Sequence, residues 1–115
     1  MPTEVLLIDP DNISRTLIKY HLNRAGYIVH EAANREDALE FSSYVRPSLI
    51  IADESINLED QPSSASNCPL LYSLLPWVVL TALPVYQRDH SRRAYLAKPA
   101  LSSQLLRCIA ALMPS

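Results

Sequence analysis

The chain carries a chemically reactive side chain at the end of each of four short apolar runs. These side chains are Asp9, Asp53, Thr81 and Lys98. A carboxylate can be a nucleophile towards a phosphoryl group, and a second carboxylate can hold Mg²⁺, which takes oxygen ligands. A lysine ammonium pairs with phosphoryl oxygens, and a threonine hydroxyl donates to one of them. The residue types therefore favour phosphoryl chemistry.

The apolar runs before these residues are continuous, which is typical of strands buried on both faces of a parallel sheet. The predicted strands are 5–8, 27–31, 48–53, 77–81 and 94–98. Helical segments alternate with them, so we expect a three-layer α/β domain with about five helices. Side chains just past the carboxyl ends of parallel strands converge where the strand order reverses. The four reactive residues should therefore meet at one crevice.

The first predicted helix follows the first strand closely. Asp11 or Asn12 can cap it by accepting hydrogen bonds from its first free N–H groups. Gly26 lies where helices commonly end in a left-handed residue. The inner face of the helix consists of residues spaced at i, i+4 and i+7, which are Ile18, Leu22 and Ala25.

Two further helices have the same kind of apolar stripe. Asn34 can cap one of them, which Pro47 ends, and Ser102 or Ser103 can cap the last one. The predicted inner faces are Ala38, Phe41, Ser42 and Val45 in the former, and Leu105, Cys108, Ile109 and Leu112 in the latter.

Two stretches break the alternation of strands and helices. Residues 57–67 are polar and predict a loop or a frayed helix, with a short helix over residues 69–75. Residues 84–93 are too few and too charged for more than a turn or two of helix. No linker divides the chain, so we expect one domain over residues 1–115.

The composition disfavours several classes of protein. A net charge of −2 offers no general attraction for nucleic acid or an anionic membrane. One glycine in 115 residues leaves no glycine-rich loop to wrap nucleotide phosphates. Cys68 and Cys108 have no metal-ligand spacing and predict buried thiols in a reducing cytoplasm. The first residues lack the basic segment of a signal peptide, and no apolar run is long enough to span a bilayer.

The order LLID, LIIAD, VVLTA and YLAKP resembles the receiver domain of bacterial response regulators, and the resemblance covers nearly the whole chain. It implies a flavodoxin-like fold whose sheet has the strand order 2-1-3-4-5. It also implies that a histidine kinase phosphorylates Asp53, the acid that ends the third strand. By the same resemblance, Thr81 follows the phosphoryl group, Tyr95 swings inward behind it, and Lys98 belongs to the pocket.

One departure from the family concerns the metal. Where receiver domains have a second acid after the first strand, this chain has Pro10, which offers neither an oxygen nor an N–H. The remaining oxygen ligands are Asp9, Asp11 and the backbone carbonyl of Ser55. Because Mg²⁺ demands a nearly ideal octahedron of oxygens, we expect it to bind weakly. We expect weak Mg²⁺ binding to make phosphorylation at Asp53 less efficient.

Other departures concern the outer surface. Glu54 adds a charge at the mouth of the pocket, and Asn57 stands where the family usually has a proline. The connection between Thr81 and Tyr95 is short. We therefore expect an irregular third helix and a shortened or missing fourth helix.

These features predict an atypical receiver domain of two-component signalling that is not an enzyme and acts through protein–protein contacts. The expected partner is a histidine kinase or another signalling protein, with a homodimer as an alternative, and with no direct contact to nucleic acid or membrane. We expect a cytoplasmic location. Whether an output domain follows residue 115 stays open.

Two other functions compete with this interpretation. One is a small Mg²⁺-dependent phosphatase or phosphotransferase with an aspartyl-phosphate intermediate, because Asp9 and Asp53 form the kind of acid pair that it needs. The other is a flavodoxin-like cofactor binder. The acidic DPDN segment disfavours the latter, since it repels a phosphate group.

Overall fold

The computed structural model describes residues 3–41, 45–56, 75–81, 93–98 and 102–112. Within these ranges the chain forms five strands and three helices. In chain order they are β1 (Glu4–Ile8), α1 (Asn12–Arg24), β2 (Ile28–Ala32), α2 (Arg35–Glu40), β3 (Leu49–Asp53), β4 (Trp77–Thr81), β5 (Arg93–Ala97) and α3 (Ser102–Leu112).

All five strands lie in one parallel sheet with the order β2-β1-β3-β4-β5, which confirms the predicted topology. The order reverses at β1, because the chain places β2 on one side of that strand and β3 on the other. The carboxyl ends of β1 and β3 therefore border a crevice. In open sheets of this type, ligands bind at such a crevice.

Helices cover both faces of the sheet, so its central strands are buried almost throughout. Alternate residues of a strand point to opposite faces, and a strand between two layers must therefore be apolar at every position. The face that packs against α1 and α3 buries Val5, Leu7, Ile18, Leu22, Leu49, Ile51, Val78, Leu80, Leu105 and Ile109. The face that packs against α2 buries Leu6, Ile8, Ala32, Ala38, Ile50, Ala52 and Trp77.

The start and the end of α1 follow its predicted signals. The Asp11 carboxylate accepts a hydrogen bond from the Ile13 N–H at 3.0 Å, so Asp11 is the cap. Gly26 has φ = +97°, in the left-handed region. Ile18 is buried as predicted. The placement of Ala25 on the inner face is wrong, because the last turn of the helix ends in solvent and leaves this residue exposed.

Some boundaries differ from the prediction. β2 begins and ends one residue later than expected, at Ile28 and Ala32. α2 ends at Glu40, with Phe41 as its C-cap, and so does not extend to Pro47 as predicted. Phe41 packs against the core. Val45 is buried, but it lies outside the helix.

The inner face of α3 is largely as predicted, since Leu105 and Ile109 are buried. Leu112 and Cys108 are only half-buried, so the prediction of a buried thiol is wrong for Cys108, which is a free cysteine. Other predictions lie outside the described residues, namely those on Ser42, Cys68, residues 57–74 and 82–92, and with them the irregular third and the shortened fourth helix. Among the described helices, none has the length and apolar character needed to cross a bilayer.

Candidate functional site

The ammonium group of Lys98 lies between two carboxylates at the carboxyl edge of the sheet. Its Nζ is 3.0 Å from Asp9 Oδ2 and 2.6 Å from Asp53 Oδ1. The structure thus brings together three of the four reactive residues that end the apolar runs. We call Asp9, Asp53 and Lys98 the acid–lysine cluster.

Hydrogen bonds of the sheet hold the backbone of the acid–lysine cluster in place. The N–H of Asp9 donates to the Ala32 carbonyl at 3.0 Å, and the N–H of Lys98 donates to the Thr81 carbonyl at 2.8 Å. Asp53 is the last residue of β3 and pairs with β4. The three side chains therefore start from fixed points at the ends of neighbouring strands.

Asp9 is the buried member of the cluster, with no exposed surface. Its Oδ1 accepts a hydrogen bond from the Asp11 N–H at 2.9 Å. Its Oδ2 has the Lys98 ammonium as its polar neighbour in the described part of the chain. A buried carboxylate without a cation nearby is strongly unfavourable, so Lys98 compensates the charge that the fold buries at Asp9.

Asp53 is partly exposed, and its side chain retains 16% of its accessible surface. Its Oδ2 accepts hydrogen bonds from the N–H and the hydroxyl of Ser55, at 3.0 and 2.6 Å. Partial burial alone would raise the pKa of Asp53, but the hydrogen bonds from Lys98 and Ser55 outweigh it and lower the pKa below its ordinary 3.8. At neutral pH this residue is therefore an ionised, solvent-accessible carboxylate, the form that a nucleophile requires.

The two carboxylates also change the pKa of Lys98. Partial burial alone would lower the pKa of Lys98, but the close contacts of its ammonium with the carboxylates of Asp53 and Asp9 raise the pKa above its ordinary 10.5. The side chain is therefore a stable ammonium at neutral pH, with donors directed at the place where an anionic group on Asp53 would lie.

Thr81 ends β4 and is buried, with 2% of its surface exposed. Its hydroxyl donates a hydrogen bond to the carboxylate of Glu54. Sequence reasoning noted Glu54 only as a charge near the pocket and missed this contact. In the structure Asp53 pairs with Leu80, so the residues that follow them on the two strands, Glu54 and Thr81, lie side by side. The sequence alone does not give this register.

Tyr95 lies on β5 and is half-buried. It pairs with Val79, and Ala97 pairs with Thr81. Side chains of paired residues, and of residues two apart on one strand, share a face of the sheet. Tyr95 and Thr81 are therefore on the same face, one diagonal step apart.

Arg15 is a second feature that the sequence did not reveal. Its guanidinium donates to the Asp9 carbonyl at 2.5 Å and to the side chains of Asn12 and Glu31. Lys19 donates to Glu31 at 2.7 Å, and hydrogen bonding from Lys19 is the main cause that lowers the pKa of Glu31. These contacts tie the loop after β1 to α1 and β2.

The residues around the cluster fit a divalent metal only in part. Asp11 directs a carboxylate oxygen to the end of α1, and Pro10 is exposed and has no side-chain oxygen. In the described ranges, no group of three or more His, Cys, Asp or Glu side chains is placed to hold a metal. The acidic oxygens beside the cluster are the carboxylates of Asp9 and Asp53, and Lys98 already engages both of them.

Comparisons with known proteins give a consistent set of relatives. The chain is 32% identical over 115 residues to the transcriptional regulatory protein PdtaR of Mycobacterium tuberculosis, an alignment that covers 95% of the chain and 56% of PdtaR. The chain therefore spans about half the length of this curated relative. No protein-family model matches the chain.

Solved structures agree with this likeness. The chemotaxis response regulator CheY4 of Vibrio cholerae superposes with a TM-score of 0.77 at 22% identity, over 98% of this chain and 100% of that one. A response regulator receiver modulated diguanylate cyclase from Pelobacter carbinolicus has 28% identity and a TM-score of 0.71, over 96% of this chain and 91% of that one.

Proposed function

Because the chain is a receiver domain of the response regulator type, we propose that it is an atypical receiver whose phosphoryl acceptor is Asp53. The observation that carries this proposal is the 2.6 Å ion pair between Lys98 and a partly exposed Asp53 at the reversal point of the sheet. A nucleophile with a fixed cation beside it is suited to accept a phosphoryl group. The proposed location is the cytoplasm.

The chemical step is an in-line displacement at phosphorus. A carboxylate oxygen of Asp53 forms the new P–O bond, and the bond from phosphorus to the donor breaks. The electron pair of that bond stays on the leaving group, which is an imidazole for a phosphohistidine or a carboxylate for an acyl phosphate. The Lys98 ammonium pairs with the oxygens of the transferred group, whose charge it partly neutralises.

We propose that Mg²⁺ binds weakly, through Asp9, Asp53 and the Ser55 carbonyl. When bound, the ion would neutralise negative charge on the phosphoryl oxygens. Weak binding follows from the small set of oxygen ligands and from the competition of Lys98 for both carboxylates.

The response to phosphorylation is proposed to be a shift between two populated states. Negative charge on Asp53 draws the Thr81 hydroxyl towards it, and Tyr95 follows on the same face of the sheet. The surface around β5 and α3 then changes its fit to a partner. A histidine kinase would be the donor, and another signalling protein would bind the switched surface.

The proposal is tested by intact-mass analysis after incubation with acetyl phosphate and Mg²⁺. We expect the wild type to gain the mass of one phosphoryl group, as an adduct that hydroxylamine removes. Asp53→Asn should gain no such mass. Asp11→Asn is the matched control, because asparagine also caps a helix, and it should keep the adduct. An adduct that persists in Asp53→Asn, or no adduct in the wild type, contradicts Asp53 as acceptor. Rapid turnover of a small phosphoester would instead favour the aspartyl-phosphate enzyme.

A further inference from the structure

The contact between Glu54 and Thr81 is a feature that phosphoryl acceptance at Asp53 does not require. The Glu54 N–H donates to the Leu80 carbonyl at 2.8 Å, which extends the pairing of β3 with β4 by one residue. This places the Glu54 side chain beside Thr81, where its carboxylate accepts the hydrogen bond of the threonine hydroxyl. This backbone hydrogen bond between the two strands thus sets the position of Glu54.

The Thr81 hydroxyl has a single O–H to donate. While Glu54 accepts that hydrogen, the hydroxyl cannot donate it to a phosphoryl oxygen on Asp53. A hydrogen bond to an ionised acceptor is stronger than one between neutral groups. Glu54 itself is exposed, so water competes for its carboxylate and limits the strength of the bond.

We propose that Glu54 is a positioning residue: its carboxylate holds the Thr81 hydroxyl in the unphosphorylated state and releases it when a phosphoryl group on Asp53 takes its place. The proposal rests on the proposed function of Asp53. A phosphoryl group on Asp53 would carry more negative charge than a single carboxylate, and the Lys98 ammonium, which lies 2.6 Å from Asp53, would hold it in place. The Glu54 carboxylate is therefore the weaker competitor for the Thr81 hydroxyl. The balance between these two acceptors sets how much phosphorylation is needed before Thr81 and Tyr95 move.

The first experiment needs no phosphorylation. The ring resonances of Tyr95, assigned with a Tyr95→Phe variant, are measured by NMR in Glu54→Ala, Thr81→Val and the double variant. We expect both single variants to shift these resonances in the same direction, and the double variant to shift them no further than Thr81→Val. Glu54→Gln, whose amide oxygen still accepts the hydrogen bond, should stay close to the wild type.

Additive shifts in the double variant, or a Glu54→Gln spectrum equal to that of Glu54→Ala, overturn the proposal. Thr81→Ser keeps the hydroxyl and serves as the control for a packing effect of Thr81→Val. In this variant Glu54→Ala should still shift the Tyr95 ring resonances. This result stands or falls without an adduct on Asp53, so it can be separated from a failure of the proposed acceptor.

The second experiment measures how Glu54 affects the rate of adduct formation from acetyl phosphate. Release of one hydrogen bond should make Glu54→Ala react about two- to tenfold faster, whereas Glu54→Gln should react at nearly the wild-type rate. Glu36→Gln, which removes an exposed carboxylate on α2, controls for net charge. If Glu54→Gln and Glu54→Ala accelerate the reaction equally, the Glu54 charge merely repels the phosphoryl donor, and the positioning role is overturned. It is also overturned if Glu54→Ala accelerates the reaction as much in a Thr81→Val background as in the wild type.

Discussion

Lys98 is the residue on which the charge balance of the site depends. Its ammonium lies 3.0 Å from a carboxylate oxygen of the fully buried Asp9, and it also pairs with Asp53. Removal of one partner from a buried pair leaves an uncompensated charge, which costs more than the pair itself contributes. Loss of Lys98 should therefore destabilise the fold mainly by leaving Asp9 without a cation. Loss of the charge on Asp53 leaves the pair of Asp9 and Lys98 intact.

We predict that Lys98→Met lowers the free energy of unfolding by about 2 kcal/mol at neutral pH. A fully buried pair would lose more, but the Lys98 side chain is 22% exposed and partly hydrated. Asp53→Asn should cost less than about 1 kcal/mol, since Lys98 keeps Asp9 as its partner. Urea denaturation, followed through the fluorescence of Trp77, measures both values.

Lys19→Met provides the matched control for this prediction. Lys19 also forms an ion pair, with Glu31 at 2.7 Å, but its side chain is 40% exposed. An exposed pair contributes little, so this variant should cost less than about 0.5 kcal/mol. Equal costs for Lys19→Met and Lys98→Met would contradict the view that Asp9 needs its cation.

At the residue scale, the sequence could indicate which side chains meet but not how they bond. The position of Asp9, Asp53 and Lys98 at strand ends follows from the apolar runs before them. The hydrogen bond from Thr81 to Glu54 depends on side-chain rotamers and on the register between β3 and β4. An apolar pattern specifies neither, so this contact was missed.

The connection between β1 and α1 determines what the metal site lacks. A carboxylate oxygen of Asp11 caps α1 by accepting the Ile13 N–H. A cap of this kind is typically worth about 1 kcal/mol, and Asp11 would lose it by turning towards the cluster. The helix therefore competes with the metal for this acid, and Pro10 cannot replace it.

We predict that Pro10→Asp strengthens the binding of Mg²⁺. Position 10 is exposed and follows Asp9 directly, so a carboxylate there adds a charged oxygen ligand without a change in the core. At Mg²⁺ concentrations about ten times the dissociation constant, binding should add about 1.4 kcal/mol of stability. Thermal unfolding with Mg²⁺ and with a chelator measures this gain, which should be small or absent in the wild type.

Pro10→Ala separates the new ligand from the loss of the proline ring. It should respond to Mg²⁺ no more than the wild type does. A Mg²⁺-dependent rise in melting temperature of equal size in Pro10→Ala and Pro10→Asp would show that backbone freedom, and not the missing carboxylate, limits the site.

At the element scale, strand runs and the caps of α1 and α2 were predicted well, and helix ends less well. The predicted cap of α3 was wrong, because Ser102 and Ser103 both lie within that helix. The caps Asp11 and Asn34 and the left-handed Gly26 use specific hydrogen bonds or dihedral angles that few residue types supply. The end of α2 at Glu40 had no such signal. Whether an apolar residue such as Val45 is buried within a helix or after it depends on tertiary packing, which local sequence does not contain.

The whole molecule is organised around one sheet with a core on each face. α1 and α3 pack against the same face, where Leu22 and Ile109 belong to one cluster together with residues of β1, β3 and β4. Early and late parts of the chain thus share a single set of buried contacts. One domain over residues 1–115 stays a prediction, and buried contacts shared by early and late elements are what such a domain requires.

The strand order is the part of the fold that residue patterns alone could not supply. Continuous apolar runs indicate that a strand is covered on both faces, but they carry no information about its neighbours. The order β2-β1-β3-β4-β5 was predicted through the likeness of the strand-end residues to receiver domains, and the structure confirms it. The meeting of the cluster at one crevice depends on that order.

We predict that the chain unfolds in a single cooperative transition. The one tryptophan, Trp77, is buried at the start of β4, and its fluorescence reports on the sheet, whereas far-ultraviolet circular dichroism is dominated by the helices. Both signals should give the same midpoint in urea, as expected for a small two-state domain.

Ile109→Ala makes this prediction sharper, because Ile109 lies on α3 and is fully buried against the sheet. The variant should lose about 2–4 kcal/mol, and both midpoints should fall together. If the circular dichroism midpoint falls while that of Trp77 stays in place, α3 unfolds separately from the sheet. In that case the surface around β5 and α3 changes its structure without disturbing the acid–lysine cluster. This result would contradict a coupling between Asp53 and that surface through the shared core.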